Sequence, residues 1–132
     1  MSFRREIFDR VLFDQHYGGA AIGEETDFCL RVARLGYRFL FVPEAAVEHL
    51  HLQVGGVHGG SFNDWIFWQT HNSMLFILRH GRVTAWPGFL LKRLARLTLH
   101  AVQHASPVPL LRGLEGLLRG TTTHLATRAS HA

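Results

Sequence analysis

Between Gly36 and Pro43 the chain carries Tyr37-Arg38-Phe39-Leu40-Phe41-Val42, a run of β-formers broken by a single charge. No other segment limits the fold class as strongly. A strand covered on both faces reads as a continuous apolar run, so this pattern predicts a largely buried strand that Pro43 stops. The segment before it predicts a helix. Glu24, Glu25 and Asp27 crowd a first turn, where the positive end of the helix dipole favours carboxylates, and Phe28, Val32 and Leu35 form one stripe at i, i+4, i+7. Gly36 is placed to end that helix, and Asp27 stands four residues before Arg31, the separation of a helical ion pair. Helix, glycine turn and buried strand together predict an α/β arrangement. Ala45 to Leu50 adds a second short extended piece ending at His49.

Upstream, Phe3, Ile7, Phe8 and Val11 recur at helical spacing and predict a short amphipathic helix over Phe3 to Leu12. Asp14 to Gly23 carries Gly18, Gly19 and Gly23 and predicts a loop whose backbone comes close to another part of the molecule. Downstream, Leu52 to Ser61 reads as a glycine-rich loop. Phe62 to His80 predicts a long aromatic helix. Gly81 and Pro87 then break the chain before a basic amphipathic helix from Phe89 to about His104, with Lys92, Arg93 and Arg96 among leucines. Leu110, Leu111, Leu114, Leu117 and Leu118 form a last helical stripe weakened by Gly113 and Gly116, and the chain reads as frayed from Thr121.

Composition narrows the function classes. At 132 residues, 47% hydrophobic and 18% charged, the chain is long enough for one core and too apolar for a disordered tail. The longest uncharged apolar run, Trp65 to Leu78, is too short to cross a bilayer. One cysteine, Cys29, excludes an internal disulfide, and a cytoplasmic location is expected. Residues 1–61 hold six arginines against eight acidic residues, while 62–132 hold eight lysines and arginines against two acids. The acidic half suits a base or a metal, and the basic half suits anionic lipid or phosphate. The basic residues lie among leucines, not on a polar face interleaved with aromatics, so no nucleic-acid partner is expected. The ten histidines lack the spacing of a zinc helix, and His16, His58, His100, His104, His124 and His131 read as surface residues.

The densest group of chemistry-bearing residues is Gly23-Glu24-Glu25-Thr26-Asp27, followed by Arg31, Gly36-Tyr37-Arg38, Pro43-Glu44-Ala45 and His49. Together with Phe3-Arg4-Arg5-Glu6, Phe13-Asp14 and the later His71-Asn72, Phe76 and Arg79-His80, this order resembles the C-terminal half of the catalytic domain of family 2 glycosyltransferases of the GT-A fold. The likeness spans roughly residues 2 to 80. It implies a partial GT-A, Rossmann-like α/β unit over 1–61, a helical extension over 62–120 and a disordered tail over 121–132.

For chemistry, the resemblance implies part of an inverting glycosyltransferase, of hexosyl or rhamnosyl type. Such an enzyme moves a sugar from a nucleotide sugar to a glycan or lipid-linked acceptor. Glu25 matches the position of the base that takes the acceptor proton, where the family usually has Asp, and Glu24 would orient the acceptor beside it. Asp27 joins the catalytic group by fixing the helix start. Arg4, Arg5, Gly23 and Arg31 match substrate-binding positions. His49 matches the ligand that, with an Asp-x-Asp motif, holds Mn²⁺ or Mg²⁺ in the complete enzyme. No Asp-x-Asp occurs in these 132 residues. The family carries it in an N-terminal half, so inactivity of this chain alone is expected, with that half as a partner.

Other readings stay open at this point. Acids at a helix start occur for dipole reasons alone. Trp65 and Trp68 fit a core or interface as well as a sugar platform. The Lys92, Arg93, Arg96 face is either a solvated surface or a contact with anionic lipid on the inner face of the cell membrane. The competing class is a small basic membrane-peripheral or protein-interaction module without catalysis. A regulator disabled by glutamate at position 25 is a variant of the first.

Overall fold

A computed structural model describes residues 2–46 and 60–129. Its elements are four helices, α1 (Glu24–Arg34), α2 (Phe62–His80), α3 (Trp86–Gln103) and α4 (Val108–Ala129), with single 3-10 turns at Arg5–Ile7 and Val83–Ala85. Among the described residues there is no strand, and the α/β, GT-A-like expectation is therefore corrected to an all-helical one.

The physical reason lies in residues 37–42. Gly36 takes φ +89°, a left-handed conformation that glycine adopts without strain, and turns the chain out of α1. Only Tyr37 then folds back onto the core. Leu40 and Phe41 stand 85% and 90% exposed, with no neighbouring strand among the described residues. β-propensity expresses packing against a pleated neighbour, so without a partner a run of β-formers forms no strand. The second extended piece, 45–50, shows no strand at 45–46 and otherwise falls outside the described residues, as does nearly all of the 52–61 loop.

The N-terminal segment also departs from its pattern. One 3-10 turn replaces the helix over 3–12, yet Ile7 and Val11 still reach the core, linked by Val11 N–H to the Ile7 carbonyl at 2.8 Å. The competing force is aromatic. Phe28 on α1 is fully buried, and the rings of Phe3, Phe8 and Phe13 gather on it at 5.0, 5.7 and 4.3 Å. A regular helix would present only one side to that ring; the broken segment wraps it. Burial of Phe28 contributes about 1.5–3 kcal/mol before packing is counted.

The second half follows its sequence more closely. Ser61 caps α2 by accepting from Asp64 N–H at 3.1 Å, while its hydroxyl donates to the Asp64 carboxylate at 2.7 Å. α3 starts at Trp86, three residues before the expected Phe89. Pro87 lies in its first turn, where a missing N–H goes unused and the fixed φ suits the helix. α4 continues to Ala129, through the segment expected to fray. Hydroxyls of Thr121, Thr122 and Thr127 donate back to the Leu117, Arg119 and His124 carbonyls at 2.9 Å, and Thr123 meets the His71 ring at 3.2 Å.

α4 runs alongside α2 in the same direction: Arg112 reaches Asp64, Gly116 lies on Phe67 and Thr70, and Gly120 lies on His71. The glycines that weaken the helix on paper are the contact. A Cβ at Gly116 would overlap the Thr70 hydroxyl and the Phe67 carbonyl, and one at Gly120 would lie 2.5 Å from the His71 carbonyl. α3 returns antiparallel, with Phe62 against His100 and His104 and with Arg93 against Gln69 and Ser73.

Candidate functional site

The loop over 14–23 approaches α2, and the element it approaches is now defined. Asn72 brackets Gly18, donating to its carbonyl at 3.0 Å and accepting its N–H at 3.3 Å, and the Trp68 ring covers Gly18 and Gly19 so closely that any side chain there would overlap it. Trp68 is thereby a packing residue. Its contact holds Asp14 and Tyr17 beside the C-terminal end of α2.

Asp27, in the first turn of α1, is completely buried and is the hub of the site. One carboxylate oxygen accepts from His80 Nε2 at 2.7 Å and from the Tyr17 hydroxyl at 3.3 Å, and the other accepts from Arg31 Nε at 2.8 Å. The i, i+4 ion pair expected from the sequence is present. Arg79 stands 3.7 Å from Asp27 and bonds to Asp14. Arg34 donates to His80 Nδ1 at 2.9 Å, which assigns the His80 proton to Nε2. Burial acts to raise the Asp14 carboxyl, but the His16 amide and ring and the Arg79 charge outweigh it and hold it below the usual carboxylate range. Burial, followed by the Asp27 charge, pushes the Tyr17 phenol well above its ordinary value.

Beside this network opens a cleft of about 1090 Å³. Among the described residues, Arg10, Arg31, Arg34, Arg79 and Arg128 line it against Asp14 and Asp27, an excess of three positive charges. The C-terminal ends of α2 and α4 face it too, each contributing about half a negative charge. Arginines in those last turns are thus partly explained as partners of the helix dipoles. That explanation does not cover two atoms. Arg31 Nη2 and His124 Nδ1, both buried, have no hydrogen-bond partner among the described residues, and both side chains line the cleft. Buried polar atoms are nearly always paired, so each calls for a ligand or water. Burial and then the charges of Arg128 and Arg79 push the His124 imidazole below its ordinary value and keep it neutral near pH 7.

The structure divides the residues singled out from sequence. It brings Asp27 and Arg31 together at the hub. Glu24 is half-buried and Glu25 exposed on the same turn, and neither lines the cleft. Gly23 caps α1 at φ +94° and borders a smaller apolar pocket. Arg4 is exposed and lies 3.6 Å from Glu6, and Arg5 is also exposed. His49 lies outside the described residues. Among those described, no group of three or more His, Cys, Asp or Glu stands close enough to hold a metal ion. The Asp27 carboxylate already accepts from three protein donors.

Sequence reasoning missed the roles of Asp14, Tyr17, Arg34, His124 and Arg128. It noticed Arg79-His80 without giving them work, because their partner Asp27 is more than fifty residues away in the chain. His124, read as a surface residue, lines the cleft instead.

No family model, curated protein or solved structure matches this chain. The resemblance to family 2 glycosyltransferases is accordingly corrected: neither a family match nor a strand among the described residues supports it. The class the structure defines is a helical protein with an arginine-lined cleft. Within that cleft both nitrogens of His80 and both oxygens of Asp27 are engaged, which equips the network to hold a shape.

Proposed function

We propose that this chain is a binding module for a phosphorylated ligand and that the arginine cleft takes the phosphate end. The observation that carries the reading is the cationic excess of the cleft, whose lining residues include Arg31 and His124, each with a buried nitrogen that has no partner among the described residues. Guanidinium groups match phosphate oxygens in geometry as well as charge. Among phosphorylated ligands, a nucleotide sugar is the one that also gives Glu24 and Glu25 a task. Its diphosphate would sit among the arginines as the leaving group, and a carboxylate outside the cleft would take the acceptor proton. Turnover is not expected from the chain alone, since Glu24 and Glu25 lie outside the cleft that would hold the leaving group.

The test is a thermal-shift and calorimetric titration with inorganic diphosphate and with a nucleoside diphosphate, against sodium chloride of equal ionic strength. Binding to the native state raises the unfolding midpoint, with a stabilisation that grows as RT ln(1 + L/Kd), where L is the free ligand concentration. A rise specific to the phosphates, lost in the surface variant Arg10→Gln/Arg128→Gln, supports the reading. An equal response to chloride, or an unchanged response in that variant, contradicts it. Tighter binding of the nucleoside diphosphate than of diphosphate supports the nucleotide-sugar assignment, and equal or weaker binding rejects it.

A further inference from the structure

We propose that the outward face of α3 lies in the surface of an anionic lipid bilayer. The inward face of this helix is settled: Leu97 is buried on Gly113 of α4, and the Arg93 guanidinium donates to Gln69 at 2.9 Å and Ser73 at 2.8 Å on α2. The opposite side carries Leu91, Ala95, Leu99 and Val102, spaced i, i+4, i+8, i+11 and therefore on one stripe. Leu91 is 71% and Val102 72% exposed, which is unusual for large apolar side chains that share one face. Lys92 and Arg96, four residues apart, run along one flank and are exposed.

Charge complementarity identifies the occupant. Between Asp64 and Glu115 the sequence holds no acidic residue, so nothing on α3 or its connecting turns repels a negative surface. A second copy of the same stripe would set Lys92 and Arg96 against like charges, which disfavours self-pairing. An interfacial helix needs an apolar stripe to enter the acyl boundary and cations at headgroup level, and α3 has both. It lies on the surface, because no helix among the described residues is long and apolar enough to cross a membrane.

The experiment is vesicle flotation of the full chain with neutral phosphatidylcholine and with phosphatidylcholine plus phosphatidylserine, at low and high salt. Binding is expected only to the anionic vesicles and is expected to weaken as salt rises. Lys92→Gln/Arg96→Gln should lower the partition coefficient about 25-fold, about fivefold for each charge. Leu91→Ser/Val102→Ser should lower it about tenfold or more. All four side chains are exposed, and unchanged far-ultraviolet dichroism verifies that the variants fold. Arg128→Gln, in the cleft, should leave vesicle binding unchanged. Equal binding to neutral vesicles, insensitivity to the α3 variants, or a loss in Arg128→Gln as large as in the charge variant overturns the proposal. So does a salt-sensitive dimer in solution that the α3 variants dissolve.

Discussion

Residues 37–42 and residues 62–80 each carry a clear sequence pattern, one for a strand and one for a helix, and only the second becomes what its pattern says. The difference is where each element finds its hydrogen bonds. A helix satisfies its own N–H and C=O groups within four residues, so the pattern of α2 is sufficient to specify its structure. A strand must borrow a neighbour. Among the described residues none is present, and Phe39 to Val42 stand in water.

The largest effects should separate these two regions. Phe28→Ala empties the centre of the aromatic cluster and is expected to destabilise the fold by about 3–5 kcal/mol. Phe41→Ala, in the strand-like run, should stay within about 0.5 kcal/mol of the parent. Urea denaturation measures both, and a loss at Phe41 comparable to that at Phe28 would mean the run is covered. Asp27→Ala should cost about 3–5 kcal/mol, because it leaves Arg31 and His80 without their buried partner.

Smaller effects sharpen the account of the helical half. Gly116→Ala gains helix propensity but collides with the Phe67 carbonyl and the Thr70 hydroxyl, and a net loss of about 1–3 kcal/mol is expected. Gly88→Ala in α3 meets nothing within 4 Å and should stabilise by about 0.5–1 kcal/mol. Thermal unfolding of the pair reads the opposite signs directly.

The smallest effect concerns pH. The folded-state value of Asp14 lies below the ordinary 3.8 of the free side chain, so its contribution is fully present above that pH and is lost as pH falls through the lowered value. Asp14→Asn should flatten the acid limb of the stability curve. His124 is also lowered, so below the ordinary 6.5 of a free imidazole the unfolded chain takes up the proton first and stability declines toward acid. His124→Gln should remove that slope, as measured by urea midpoints between neutral and mildly acidic pH.

Much of the helical half was legible in advance. The bounds of α2, the stripe of α1, its stop at Gly36 and the Asp27–Arg31 pair all follow from local rules. Less legible were positions where one rule has two readings. Pro87 breaks a helix in its interior but begins one in its first turn. Gly116 and Gly120 lower helix propensity yet permit the contact between α2 and α4. The site was harder still, since His80, Arg79 and Tyr17 reach Asp27 only through tertiary packing, and no spacing along the chain records that.

The central claim is that the described residues are held by helices, with 39–42 outside any strand pairing. Residue-resolved amide hydrogen exchange tests it most directly. The account predicts that the amides of Thr70 and Leu75 in α2 exchange only through global opening, while those of Phe39, Leu40, Phe41 and Val42 exchange near the rate of an unstructured chain. Protection of residues 39–42 approaching that of α2 would show a paired strand and contradict the account.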